Sequence, residues 1–205
     1  MAENEDPRAA RSRAALIAAT IDLIDERDGA VSVTDVVSAA GVSRPTLYQH
    51  FGDLPALVRA ATLERVEATF ARAGTELDEA VPRAEFAREM MHRVVAGLDQ
   101  HATFYRRVLR GAGGIAFATD VTDYVTHRIL DRSPMGTAIR DRPGPATPQD
   151  RAEFLAAGAA WHVIRWISAE DRTESADTVA EKLAVLLLEA AGTETLTATQ
   201  LETAA

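Results

Sequence analysis

Residues 32–58, SVTDVVSAAGVSRPTLYQHFGDLPALV, read as a helix, a glycine turn, a second helix and the start of a third. Ser32 precedes Val33, Val36, Val37 and Ala40, spaced as one buried helical face requires, and Asp35 follows at the capping-box position. Gly41 stands where the chain must leave that first helix, because glycine takes the left-handed conformation that closes a helix C-terminus at little steric cost. Ser43 caps the next helix, and Pro45 fits its first turn, where a missing N–H costs nothing. Leu47 and Phe51 then face inward, leaving Arg44, Thr46, Tyr48, Gln49 and His50 outward. A short helix presenting a guanidinium, hydroxyls, an amide and an imidazole, with no acid, suits base edges and phosphates. The layout is that of a DNA-reading helix-turn-helix.

The segment GVSRPTLYQHFGDLPAL resembles the recognition segment of the TetR/AcrR family of bacterial transcriptional regulators, with its Gly-Val-Ser turn, Thr-Leu-Tyr core and His-Phe pair before the next helix. At motif level the resemblance covers residues 10 to 60; beyond them it rests on length and an all-helical pattern. It implies that the second helix of the motif lies in a major groove, with Arg44, Pro45, Thr46, Tyr48, Gln49 and His50 facing DNA and Thr34 joining them from the supporting helix. Tyr48 has a rival role, its ring packed beneath the motif, and His50 either meets a phosphate or caps the short helix. One departure stands out: family members often place a lysine near the start of the helix after His-Phe, and this chain has Leu54 there, followed by Pro55. Free backbone N–H groups at that helix start are an alternative phosphate holder, opposed by the charge of Asp53.

The 205 residues are 47% hydrophobic and 26% charged, enough for a small DNA-binding domain plus one sizeable core. The chain has no cysteine, which excludes disulfides, thiolate metal sites and cysteine nucleophiles. Its N-terminus is acidic and then arginine-rich, without a long apolar core, and no apolar run approaches the roughly 20 residues that span a bilayer, so the expected location is cytoplasmic, with no membrane partner. Net charge is −9, and within residues 1–60 six arginines face nine acids, an unusual balance for a DNA-binding domain. Distribution offsets it: Asp22, Asp25, Glu26 and Asp28 lie late in the first helix, whereas Arg8, Arg11 and Arg13 cluster at its start, positioned to follow a phosphate backbone. Of the 22 basic residues only Lys182 is a lysine.

The expected architecture is all-α: an N-terminal three-helix DNA-binding domain over 1–53 and a C-terminal helical ligand-binding and dimerisation domain over 54–205. The first helix runs from Pro7 or Arg8 to Asp28, with Leu16, Ile17, Thr20, Ile21 and Ile24 on one stripe. The fourth, from near Asp53 to Gly74, is long enough to leave the small domain. Further helices are expected from Phe86 to Leu98, Thr103 to Leu109 and Ile115 to Leu130. Residues 135–150, with three prolines and two glycines, read as an irregular, mobile linker. Two strong helices close the chain, Gln149 to Ser168 and Thr178 to Ala191, before a tail, 193–205, expected to fray. The resemblance implies that these last two helices pair with their copies in a homodimer, with Leu183, Leu186 and Leu187 on the exposed stripe and Gly158 permitting close approach.

The resemblance also implies a small-molecule pocket in the C-terminal domain for an effector of apolar character. Met90, Val94, Phe104, Tyr105, Phe117, Tyr124, His127, Trp161, His162 and Arg165 supply the apolar walls and few polar groups such a site needs. The same residue types at helical spacing equally serve a plain core. The histidines are scattered, without an i, i+4 pair, so no metal site is expected; no phosphate loop or nucleophile elbow is present, so neither cofactor nor catalysis is expected. The function implied is a ligand-responsive regulator, a repressor, binding a palindromic operator in double-stranded DNA. The alternative is a helical small-molecule-binding or adaptor protein with weakened DNA binding.

Overall fold

The computed structural model describes residues 7–27, 29–75, 82–111, 114–133 and 135–192. Every regular element among them is an α-helix: α1 (Pro7–Glu26), α2 (Val33–Ala40), α3 (Arg44–Phe51), α4 (Leu54–Thr75), α5 (Arg83–Gln100), α6 (Ala102–Arg110), α7 (Gly114–Asp131), α8 (Met135–Asp141), α9 (Pro148–Ser168) and α10 (Ala176–Ala191). The chain forms two compact units, residues 1–68 with 101–120, and residues 69–100 with 121–205, so that the divisions fall inside α4, between α5 and α6, and inside α7. Residues 193–205 and the side chain of Ile115 lie outside the described residues.

In the first unit α1, α2 and α3 pack on one another around Leu16, Ile17, Leu23, Val36 and Leu47, closed by Leu57 and Ala61 of α4. Leu16, Val36, Leu47 and Leu57 have no exposed surface. The local signals do what their chemistry requires. Ser32 Oγ accepts from the Asp35 N–H, the Asp35 carboxylate accepts from the Ser32 N–H, and Gly41 closes α2 at φ 64°. Ser43 then caps α3 by accepting from the Thr46 N–H, with Pro45 in the first turn. Each cap of this kind contributes about 1 kcal/mol by satisfying an otherwise orphaned donor.

Three arginines fasten the rest of this unit together. Arg65 of α4 donates two parallel bonds to the Asp25 carboxylate of α1, 2.8 and 2.5 Å, and its guanidinium lies 4.2 Å from the Phe104 ring centroid of α6. Arg107 of α6 donates to the Ile24 and Asp25 carbonyls at the end of α1, 2.6 and 2.8 Å, supplying partners that a helix C-terminus lacks internally. Arg59 of α4 forms a bidentate pair with Asp120 of α7, 2.8 and 2.7 Å, which holds the guanidinium above its usual pKa.

The second unit is built on the pairing of α5 with α10, whose Val179, Ala180, Leu183, Ala184, Leu187 and Leu188 are all buried. Ile129, Met135, Ile139, Ala152, Leu155, Ala156, Leu187 and Ala191 form a cluster joining α7, α8, α9 and α10. Two expectations are corrected here. Residues 135–141 are not irregular but form α8, because Met135 and Ile139, four apart, bury one face in this cluster, and all three prolines lie beyond the helix. Gly136 belongs there because an added Cβ would run into the Leu130 and Ile129 carbonyl oxygens. The remaining link, 142–147, is tied down: Arg142 donates to the Ala190 carbonyl at 2.7 Å, Arg151 to the Pro143 carbonyl at 3.2 Å, and Thr147 and Asp150 form a capping box. Nor are Leu183 and Leu187 on an exposed stripe. They sit within the chain's own core, and only Leu186, 52% exposed, faces outward.

Candidate nucleic-acid interface

The outward surface of α3 carries the groups expected of it. Arg44, Pro45, Tyr48 and Gln49 are exposed, and Thr46 and His50 are half-buried. Tyr48 keeps half its surface exposed. His50 sits in the last turn of α3, its ring 6.2 Å from that of Phe51 at a tilt of 56°. Phe51 instead turns inward against the unit's core.

Two hydrogen bonds order this surface. The Arg44 Nη2 donates to Thr34 Oγ1 at 2.7 Å, tying the first residue of α3 to the second of α2. Ser43 Oγ and Thr46 Oγ1 are hydrogen-bonded at 2.8 Å, so the cap and the next hydroxyl form one polar edge. The turn bearing Thr34 is itself braced. Asp35 accepts from Ser32 and meets Arg27 at 2.9 Å, and these bonds hold its carboxyl below the usual carboxylate value, with the Ser32 hydrogen bond the larger cause.

Arg8, Arg11 and Arg13 are exposed on the first turns of α1. Arg11 Nε donates to the Pro7 carbonyl at 3.1 Å, and the Arg13 guanidinium lies 5.4 Å from the Phe51 ring centroid, which sets it beside the C-terminal end of α3. At the start of α4, Leu54 packs on the unit's core. The Asp53 side chain accepts from the Ala56 N–H at 2.7 Å, and Pro55 has no N–H to offer. Two of the donors that an anion would use at this helix start are thereby occupied or absent.

The ten residues expected at a ligand site divide between the two units. Phe104, Tyr105 and Phe117 belong to the first, all buried, with the Phe104 and Tyr105 rings edge-to-face at 5.4 Å. The other seven belong to the second. Val94 is buried and Met90 half-buried on α5. Tyr124 stands edge-on to Phe70 at 5.6 Å and its hydroxyl accepts from Arg128 at 3.4 Å. His127 is exposed, its Nδ1 2.7 Å from the Asp123 carbonyl oxygen of its own helix. On α9, His162 is half-buried, and Arg165 and Trp161 are exposed, Trp161 by 61%. Trp166, by contrast, is buried, donating from its indole to the Glu174 carbonyl at 3.0 Å beneath the Arg172 guanidinium. A groove of about 380 Å³ in the second unit is lined by Ile139, Arg142, Phe154, Leu155 and Ala190 among others, and by none of the ten.

Sequence reasoning missed the clamp of Arg65, Asp25, Phe104 and Arg107, and the Arg44–Thr34 bond. The only available hint was the arginine richness itself; each of these pairings joins residues between 10 and 83 positions apart.

Comparison with known proteins agrees with the geometry. The family model described as bacterial regulatory proteins, tetR family, matches residues 16–61, the span from α1 into α4. No curated protein matches the chain. Among solved structures, a TetR-family transcriptional regulator from Streptomyces coelicolor superposes with a TM-score of 0.59 at 21% identity, covering 87% of this chain and 81% of that one. The TetR family repressor AlkX from a Dietzia species, implicated in biodegradation of n-alkanes, gives 0.59 at 21% identity, covering 92% and 99%. The transcriptional repressor QsdR of R. erythropolis gives 0.56 at 15% identity, covering 91% and 96%. At these identities the likeness is one of fold.

Proposed function

We propose that this chain, whose residues 16–61 match the family model of tetR-family bacterial regulatory proteins and whose fold is that of TetR-family regulators, is a ligand-responsive repressor that binds a palindromic operator as a homodimer. On this reading it is a DNA-binding regulator and not an enzyme. The observation that carries the proposal is the exposed edge of Arg44, Pro45, Tyr48 and Gln49 on a doubly capped short helix, with Arg44 held by Thr34. Such an edge fits a major groove, where a guanidinium meets guanine and an amide meets adenine. Arg8, Arg11 and Arg13 would supply sequence-independent phosphate contacts that fix register. Among the described residues no helix is long and apolar enough to cross a membrane.

Dimerisation is supported by the outward side of α9, where Phe154, Ala157, Gly158 and Trp161 form a stripe at helical spacing, with Phe154 78% exposed and no heavy atom within 4 Å of where a Cβ on Gly158 would lie. Leu186 of α10 is exposed too, and Ala190 shares a groove with Phe154. A contiguous apolar strip of this kind is uncommon on a lone chain in water, and a two-fold seam covers it. Two copies so joined would present paired recognition helices to half-sites about 34 Å apart. An apolar effector held by the C-terminal unit, with Met90, Tyr124 and His162 as half-buried contacts, would release DNA by favouring a dimer geometry that misplaces them.

The test is a gel-shift titration of the full chain against the DNA flanking its own gene, followed by footprinting. A protected inverted repeat bound by one dimer is the expected result. Binding no tighter to that DNA than to random duplex at the same salt would overturn it.

A further inference from the structure

We infer that Thr34 acts as a positioning residue for Arg44, aiming its guanidinium so that α3 discriminates guanine at one operator position. The inference rests on the reading of Arg44 as a base contact and adds to it the device that makes the contact selective.

Arg44 opens α3, and an arginine on an exposed first turn is ordinarily free to sweep through many rotamers. Here Nη2 is anchored 2.7 Å from Thr34 Oγ1, ten residues earlier and on the neighbouring helix. Guanidinium has five N–H hydrogens in a rigid planar fork and no acceptor. One hydrogen bond to Thr34 anchors one nitrogen of the fork and leaves four hydrogens, among them enough for the two-acceptor edge of guanine. Ordering entropy is then spent before DNA arrives, which raises the penalty for a base whose edge does not match.

Thr34 is a good anchor for physical reasons of its own. Its β-branch restricts χ1, so Oγ1 has few places to be. Its turn is locked by the Ser32–Asp35 capping box, in which Asp35 accepts from the Ser32 hydroxyl at 2.5 Å while also meeting Arg27 at 2.9 Å. The side chain is exposed and belongs to no core cluster, so packing does not account for a threonine at this position. The Arg27–Asp35 pair thus braces the same turn of α2 from which Thr34 holds Arg44.

The experiment is selection from randomised duplex by the full-length protein, with wild type, Arg44→Ala, Thr34→Val and Thr34→Ser in parallel, then affinities for the selected operator and its single-base variants at several salt concentrations. Thr34→Val keeps shape and removes the acceptor; Thr34→Ser keeps the acceptor. The position read by Arg44 is the one whose preference disappears in Arg44→Ala. The expected result is that Thr34→Val loses roughly tenfold of the discrimination at that same position. Other positions and the salt slope should be unchanged, and Thr34→Ser should restore most of the preference. The inference is overturned if Thr34→Val keeps full discrimination there. It is equally overturned if that variant instead loses affinity by the same factor for the operator and all its single-base variants, which would make Thr34 a phosphate contact in its own right. If Arg44→Ala leaves every preference intact, the base-contact reading has failed and the inference falls with it. Wild type that selects no sequence at all would instead remove the proposed function.

Discussion

Trp161→Glu should separate the proposed dimer into folded single chains. Trp161 is 61% exposed and Phe154 78% exposed on the same stripe of α9. An aromatic side chain offers about 150–250 Å² for burial, so each ring leaves on the order of 150 Å² in water, about 3–4 kcal/mol at ~25 cal/mol per Å². A two-fold seam buries Trp161 twice, for a gross contribution near ~7 kcal/mol, of which ordering and imperfect packing remove part. If only about 3 kcal/mol survives, replacing both copies raises the dimer dissociation constant by roughly a hundredfold, before any repulsion between the new carboxylates. Sedimentation velocity over a concentration series measures this directly, and circular dichroism checks that helix content is kept. Leu186→Glu should behave alike, because Leu186 is outward, whereas Leu187→Glu should cost helix content, because Leu187 is 6% exposed within the core. Wild-type protein that is monomeric throughout, or a Trp161→Glu variant that sediments as wild type does, would refute the reasoning and place any interface elsewhere.

Replacing Arg8, Arg11 and Arg13 by alanine should make the slope of log affinity against log salt shallower, by about 0.9 for each phosphate that an arginine no longer neutralises; an unchanged slope would make them ordinary solvated surface. Arg65→Ala removes a bidentate pair whose arginine side chain is only 12% exposed, together with its stacking on Phe104. It should cost about 2–3 kcal/mol, lowering the melting temperature by roughly 4–12 °C, while Arg65→Lys should recover only part of that because a point charge cannot form the fork. A lysine variant that melts as wild type does would show that the fork geometry contributes nothing. Asp35 and Asp150 have carboxyls held below their ordinary value of 3.8, each chiefly by its capping serine or threonine. The stabilisation they provide is therefore complete above that ordinary value and lost as pH falls through the lower folded one, so Asp35→Asn with Asp150→Asn should flatten the acid limb of a stability–pH profile below about pH 4. An acid limb of unchanged steepness would count against this linkage.

The helix-turn-helix segment was legible in the sequence because everything that shapes it is short-range. Ser32 finds its partner at Asp35, Ser43 at Thr46, and Gly41 needs only its own positive φ, so residue type and spacing suffice. The helical class followed in the same way from apolar periodicity, which the burial of Leu16, Ile17, Thr20 and Ile24 reproduces. Periodicity names a buried face but not which of two adjacent leucines turns inward. That is why Leu183 and Leu187 are buried while Leu186 faces outward, and why Trp166 is enclosed while Trp161, five residues earlier, is not. Helix α8 was hidden by the prolines that follow it, its two apolar residues becoming informative only once α7, α9 and α10 supply something to pack on. Tertiary structure alone decided where the arginines go: Arg65 to Asp25, Arg107 to the end of α1, Arg13 over Phe51 and Arg44 to Thr34. A guanidinium on a long stem can reach any carboxylate, carbonyl or ring that folding brings near, and nothing in its immediate sequence neighbourhood specifies which.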